Sequence, residues 1–424
     1  MTTLAVEPLH RPPDATVSVP GSKSITNRAL LAAAMAEGHS TLRGALVADD
    51  TEAMAECLRR LGVRVDAGPE QTGVHGSAGR LGRGPASLDA RLSGTTSRFL
   101  LPALALGPDP VTLDGRPPLR ARPFGPLFDA LRHLGASVDE GAEAGHLPVT
   151  VQGPVQGGRV QVPGDVSSQF LSGLFLAAPA MAQGLEIELT TPLVSRPYVE
   201  MTRRVMGAFG VEVEVDEDGH RWSVGPDRYA ATDLAIEPDA SAAAYLFAAA
   251  AITGGRVRVA GLGRNSAQSD VGFVEVLARM GAQLRWDDDA VVVAGGAALH
   301  CVDVDLADLS DTAQTLAAVA VFADSPTQVR GIGFVRGKET DRIAAVVTEL
   351  RRCGIAAEET DDGFVVHPGT PRPAVVRTYD DHRMAMSFAL LGLRVPGIAI
   401  EDPGCVAKTF PGFWSALDSL RSSP

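Results

Sequence analysis

Residues 18–38 read SVPGSKSITNRALLAAAMAEG: a short alternating stretch, a turn built on Pro20, Gly21 and Ser22, and an Ala/Leu-rich run with helical spacing. The same pattern returns as DARLSGTTSRFLLPALALG (89–107), VQVPGDVSSQFLSGLFLAAPAMAQG (160–184) and AIEPDASAAAYLFAAAAITGG (235–255). It returns twice more as VDVDLADLSDTAQTLAAVAVFAD (302–324) and RTYDDHRMAMSFALLGLRVPG (377–397). Anchored on Lys23, Ser93, Ser167, Asp239, Asp311 and Asp381, the copies lie 70, 74, 72, 72 and 70 residues apart. Each copy is followed by a strand-like run, and in the first five a second helix ends in a Gly-headed strand such as LGVRVDAG (61–68). Six copies of strand, helix, strand, helix, strand predict an α/β protein. The period is too long for a common solenoid, so two globular groups of three modules are expected. The composition shift in GPDRYAATDLAIEP (225–238) marks the join between them.

The composition narrows the class. With 424 residues, 45% hydrophobic, the chain can bury two cores. Its formal charge of −13 disfavours nucleic acid and anionic membrane as partners. No apolar run reaches the length of a membrane span, and the N-terminus carries no targeting pattern, so a cytoplasmic location is expected. Four scattered cysteines without a CxxC pair argue against disulfides and zinc, and no metal or cofactor is expected. Of the 38 basic residues only Lys23, Lys338 and Lys408 are lysine. A chain that writes almost every cation as arginine keeps lysine where a compact point charge has a use.

The strand–helix junctions carry the polar residues. Ser, Thr or Asp there accepts a hydrogen bond from the first helical turn, and capping alone accounts for Asp239. A helix start also offers free amides and partial positive charge to an anion. GSKSITNR sets Lys23, Ser24 and Arg28 within one and a half turns, without P-loop spacing. SGTTSR offers Gly94, where backbone can approach a ligand, with Arg98 on the helix behind. GDVSSQF supplies Ser167, Ser168 and Gln169 as neutral donors and acceptors. The fifth and sixth junctions bring Asp311 and then Asp380, Asp381, His382 and Arg383, while VRGKETDR crowds Arg336, Lys338, Glu339, Asp341 and Arg342 into seven residues. Neighbouring cations there tune Glu339 or Asp311 for proton transfer.

Taken together, PGSKSITNRAL (20–30), SGTTSRF (93–99), RARPF (120–124), VSSQFLSGL (166–174), LVSRPYVEMT (193–202), GRNSAQSD (263–270), KETDRI (338–343), DDHRMAM (380–386) and CVAKTFPGF (405–413) closely resemble the bacterial 5-enolpyruvylshikimate-3-phosphate synthases. The resemblance implies a two-domain inside-out α/β barrel, the enolpyruvyl transferase fold, with six βαβαββ units, three per domain. It implies an N-terminal domain over 19–228, a C-terminal domain over 1–18 plus 229–424, and an active site in the cleft between them. The implied reaction transfers the enolpyruvyl group of phosphoenolpyruvate to the 5-hydroxyl of 3-phosphoshikimate and releases phosphate, without a cofactor, in a protein expected to be a monomer.

Position by position, the resemblance assigns Lys23, Ser24, Arg28, Ser167, Ser168, Gln169, Ser195, Tyr198, Asp311 and Lys338 to phosphoshikimate. It assigns Lys23, Gly94, Arg122, Gln169, Arg342, Arg383 and Lys408 to phosphoenolpyruvate. Asp311 resembles the base near the 5-hydroxyl and Glu339 the acid that protonates the methylene carbon, with Lys23 and Lys338 at the reacting centre. Leu92, Thr96, Ser97 and Phe99 depart from enterobacterial and plant relatives, and Phe334 stands where some relatives place a polar contact. Two alternatives remain at this stage. The sister UDP-N-acetylglucosamine enolpyruvyl transferases usually carry a reactive Cys before the RARP-type segment, and DGRPPLRARPF (114–124) has none. A non-catalytic binding protein on the same fold is opposed by the charged residues kept at Lys23, Asp311, Glu339 and Lys408.

Overall fold

The protein is described from a computed structural model covering residues 2–81, 84 and 86–421. The chain divides into two compact units, Gly21–Ile236 and Met1–Pro20 with Glu237–Pro424.

In the Gly21–Ile236 unit three four-stranded sheets share one plan. Ala86–Asp89 runs parallel to Val111–Asp114, which pairs antiparallel with Val149–Gln152, and Ser137–Glu140 closes the edge. The sheet built from Gly158–Val162, Leu185–Leu189, Arg221–Val224 and Glu214–Val215 repeats it. The first sheet borrows its leading strand. Asp233–Ala235, from the far end of the unit, lies parallel on His39–Arg43. The other unit shows the mirror loan, with Asp14–Val17 parallel on Arg256–Ala260.

This exchange moves the expected boundaries of 18/19 and 228/229 to 20/21 and 236/237. Residues 229–236 belong to the earlier unit because Asp233–Ala235 completes its sheet and the Tyr229 hydroxyl donates to the Leu176 carbonyl at 3.0 Å. The sixth repeat also departs from the βαβαββ plan. Its sheet has three strands, and Thr3–Ala5 pairs antiparallel with Ile398–Glu401 where the other repeats use their own later strand. The chain ends in the helix Phe413–Ser419 instead.

The Ala/Leu runs form the buried helices. Ala240–Thr253 is buried on every side, with Tyr245, Leu246 and Phe247 among its core residues, and it packs within a cluster that also takes in Leu316, Val346 and Phe388. Five of the six junction helices are capped as the sequence predicts. Ser22, Ser93, Ser167, Asp239 and Asp381 each accept from a first-turn amide. The fifth junction differs. Ser310–Thr312 is a 3-10 turn leading into Ala313–Ala320, with no side-chain cap, so the Asp311 carboxylate is left for other partners.

In the earlier unit the helices Gly94–Leu104 and Ser168–Ala177 pack tightly together. Pro102 lies inside the first and has no N–H to give the Arg98 carbonyl four residues back. Gly173 of the second helix comes up against that carbonyl. A Cβ at 173 would stand 2.2 Å from the Arg98 oxygen. Alanine favours a helix over glycine by about 1 kcal/mol, but overpacking costs about 1–3 kcal/mol and here the obstacle is backbone. Gly173→Ala is therefore expected to lower the urea midpoint of the protein, and a raised midpoint would show that the two helices separate easily.

Candidate functional site

The polar residues of each unit are taken separately. In Gly21–Ile236, Ser22 caps the helix Lys23–Met35 and so fixes Lys23 and Ser24 at its first turn. Lys23 Nζ lies 3.5 Å from Asp50 Oδ2, and Asp50 is buried. Arg28 is 1% exposed. Its Nε donates to Thr202 Oγ1 at 2.7 Å, Nη1 to the Ser24 carbonyl at 2.8 Å, and Nη2 to the Tyr198 carbonyl at 2.9 Å and Ser172 Oγ at 3.4 Å. The guanidinium also lies over the Phe99 ring. Burial pulls its pKa down to about 9, with Tyr198 opposing, since the acceptors holding it are neutral oxygens.

The second and third junctions interlock. Arg122 is buried with its guanidinium laid on Gly94, where a Cβ would fall 2.7 Å from Nη1. Gly94 is needed so that Arg122 can approach the helix start. Ser167 caps Ser168–Ala177 through the Gln169 amide, and Gln169 Oε1 accepts 2.8 Å from Arg98 Nη1. Arg98 Nη2 donates to the Pro123 carbonyl, next to Arg122, and its guanidinium lies between the Phe124 and Phe170 rings. Ser195 precedes Arg196–Ala208 in a left-handed conformation, φ 52°, and Tyr198 gives its carbonyl to Arg28.

In the other unit the site is built around Arg342. The Asp341 side chain caps Arg342–Arg352, accepting from Ile343 and Ala344, and this places Arg342 at the helix start. Arg342 is 3% exposed and reaches three carboxylates. Its Nε donates to Asp381 at 2.8 Å, Nη1 to Asp311 at 3.1 Å and Nη2 to Glu339 at 2.9 Å. Burial opposes this charge, but Asp381, Glu339 and Asp311 outweigh it and hold the guanidinium protonated. Asp311 also accepts from Arg383 Nη2 at 2.5 Å, and its carbonyl from Arg383 Nη1 at 3.1 Å. Glu339 accepts from Lys408 Nζ at 2.8 Å. Asp381, 0% exposed, receives both Arg342 and the Arg383 amide.

VRGKETDR is thus divided by its local geometry. Lys338, Glu339 and Arg342 are separated in role from Arg336, which ties Asp341 to Glu359 and the Thr360 carbonyl. The Lys338 ammonium lies 5.8 Å from the centroid of Phe334, so this departing residue carries a cation–π contact. Sequence reasoning missed Asp50 as the partner of Lys23, Arg98 as the holder of Gln169, and Thr202 and Ser172 as the cage of Arg28. Asp50 reads as an ordinary first-turn acid of Asp49–Arg60. Thr202 is 174 residues from Arg28, and no local pattern links the two.

Among the described residues no group of three or more His, Cys, Asp or Glu could hold a metal, and no helix is long and apolar enough to cross a membrane. Capped helix starts carrying Lys and Arg, with buried arginines beside them, are suited to binding anionic small molecules. The family model EPSP synthase (3-phosphoshikimate 1-carboxyvinyltransferase) matches residues 10–417. A 3-phosphoshikimate 1-carboxyvinyltransferase from Trichormus variabilis is 46% identical over 418 residues, 98% of either chain. The solved EPSP synthase of Acinetobacter baumannii is 26% identical with a TM-score of 0.84, covering 99% of this chain and 98% of that one. The enolpyruvyl transferase NikO from Streptomyces tendae shares the fold at 20% identity and a TM-score of 0.78, over 99% and 96%. The chain belongs to the EPSP synthase family and has the enolpyruvyl transferase fold.

Arg342 is the residue whose loss the C-terminal core should feel most. Removing one member of a buried ion pair costs about 3–5 kcal/mol, because the other charge stays buried and uncompensated. Arg342→Met is expected to lose that much in urea unfolding, and Arg342→Met with Asp381→Asn to recover part of it. Strictly additive losses would mean that the pair does not carry the cost.

Proposed function

We propose that the chain transfers the enolpyruvyl group of phosphoenolpyruvate to the 5-hydroxyl of 3-phosphoshikimate, with both units contributing residues to that one reaction. The observation that carries this reading is the Asp311–Arg342–Glu339–Lys408 linkage, which ties two candidate proton-transfer carboxylates to one buried arginine. Glu339 protonates the methylene carbon of phosphoenolpyruvate, leaving a cation-like C2. The 5-hydroxyl oxygen attacks C2 while Asp311 takes the hydroxyl proton, and a tetrahedral ketal phosphate forms. The C2–O bond to phosphate then breaks, and the new methyl group returns a proton to Glu339, restoring the enol ether. Two anionic reactants are brought together here, so positioning and charge neutralisation supply most of the acceleration.

Lys23, Ser24, Arg28, Ser167, Ser168, Gln169, Ser195 and Tyr198 serve phosphoshikimate in this reading, joined by Asp311 and Lys338. Lys23, Gly94, Arg122, Gln169, Arg342, Arg383 and Lys408 serve phosphoenolpyruvate. The laying of Arg122 on Gly94 supports the second assignment, since it aims a buried guanidinium at a helix start. Arg28 is almost enclosed and has four of its five N–H donors committed, so it acts on phosphoshikimate chiefly by fixing Ser24 and Tyr198. A monomer working in the cytoplasm suits this reading, because one chain supplies all these residues and its four cysteines are free.

Phosphate release from phosphoenolpyruvate tests the reaction. It is expected to require 3-phosphoshikimate and not to proceed with UDP-N-acetylglucosamine. Glu339→Gln and Asp311→Asn should each lower kcat by roughly 10²–10⁴-fold, the usual worth of a positioned acid or base. Release driven by the nucleotide sugar instead would overturn the reading.

A further inference from the structure

Asp270 ends the GRNSAQSD segment and has no part in the assignments above. It is buried, and its carboxylate accepts a hydrogen bond from Ser241 Oγ. Ser241 stands one turn before Tyr245 on Ala240–Thr253, so both lie on one helix face. The Tyr245 hydroxyl takes a bond of 3.4 Å from Arg383 Nη1, and Arg383 Nη2 holds Asp311. The segment beside Asp270 is tied to the same place, because Ser269 Oγ donates to the Asp308 carbonyl at 2.9 Å. The buried Asp270 and the partly buried Asp311 are thus linked through Ser241, the helix face it shares with Tyr245, and Arg383.

The surroundings distinguish Asp270 from an acid in a structural ion pair. Among the charges facing it are Asp311, Arg383 and, at the cap of the helix that carries Ser241, Asp239; nearby Glu237 is engaged by Ser266 and Gln268. Burial first and the charge of Asp311 second raise its pKa to about 6, against the pull of Ser241 and Arg383. Repulsion between carboxylates is mutual, so the pair takes up a first proton more readily than either would alone. A base needs this. Arg342 and Arg383 both hold Asp311, and a nearby carboxylate charge works against their pull.

Resting on the assignment of Asp311 as base, we propose that Asp270 is a positioning residue for it: a second buried carboxylate whose charge strengthens proton uptake by Asp311 as the substrate hydroxyl is deprotonated. Its action runs through charge and the Ser241–Tyr245 helix face and needs no contact with substrate.

The pH profile of kcat/KM for phosphate release tests this in the full-length protein. Asp270→Asn is expected to move the midpoint of the acid limb down by roughly one pH unit, the usual scale of a charged neighbour, and to lower plateau kcat. Ser241→Ala removes a donor to ionised Asp270 and so favours its neutral form. It should shift the limb in the same direction by less, and it decides the matter if Asp270→Asn fails to fold. Folded variants whose acid limb stays at the wild-type position overturn the proposal. Asp311→Asn separates the two readings. A nearly inactive Asp311→Asn beside an unmoved limb in Asp270→Asn overturns only the role of Asp270, whereas an active Asp311→Asn overturns the base itself.

Discussion

The C-terminal unit depends on one buried guanidinium. Arg342 gathers Asp311, Glu339 and Asp381 from three different segments, and the fully buried Asp381 would be an expensive charge without it. The pairing also sets chemistry. Asp381 spends its remaining capacity on the Arg383 amide and so fixes the helix that carries Arg383. Glu339 keeps a second partner in Lys408, and Asp311 a second in Arg383. A single cation thus orients Asp311 and Glu339 directly, while the same guanidinium is anchored on Asp381.

The repeats were legible because each junction must satisfy the same orphan amides, and the sequence answers with Ser or Asp at nearly constant spacing. The fifth junction breaks the rule in the place where chemistry is assigned. Asp311 has the sequence context of a cap, yet the chain turns through a 3-10 segment and spends the carboxylate on arginines. No propensity argument separates those two uses of an aspartate. The exchanged strands were hidden for a similar reason. Asp14–Val17 and Asp233–Ala235 look like the leading strands of the repeats that follow them, and only the pairing partners show that each completes a sheet of the unit to which those following repeats do not belong.

Long-range partners escaped the sequence altogether. Asp50, Thr202 and Ser172 are unremarkable residues of their own helices, and their meaning comes from the cations they meet. The three lysines were different, since their scarcity marked them. Lys23 faces the buried Asp50, Lys408 the partly buried Glu339, and Lys338 an aromatic ring. A compact ammonium carries rotatable donors that can turn toward differently placed partners. A planar guanidinium commits several donors to fixed directions, as Arg28 and Arg342 do.

The two units differ in how their charges balance, and the difference matches the division of labour. Among the site residues of Gly21–Ile236, the charged side chains include four cations, Lys23, Arg28, Arg98 and Arg122, and Lys23 faces Asp50. Arg28 in particular is held by neutral oxygens at the cost of a lowered pKa. Such a surplus is unfavourable until an anion arrives, which makes it suited to holding a phosphorylated, carboxylated substrate. In the C-terminal unit Arg342, Arg383 and Lys408 meet Asp311, Glu339 and Asp381. Near-neutrality there offsets the cost of withdrawing these carboxylates from water, since each lies against a cation. A surplus of cations binds, and a balanced set can pass protons. Carrying the two on separate repeats lets each be tuned without spoiling the other.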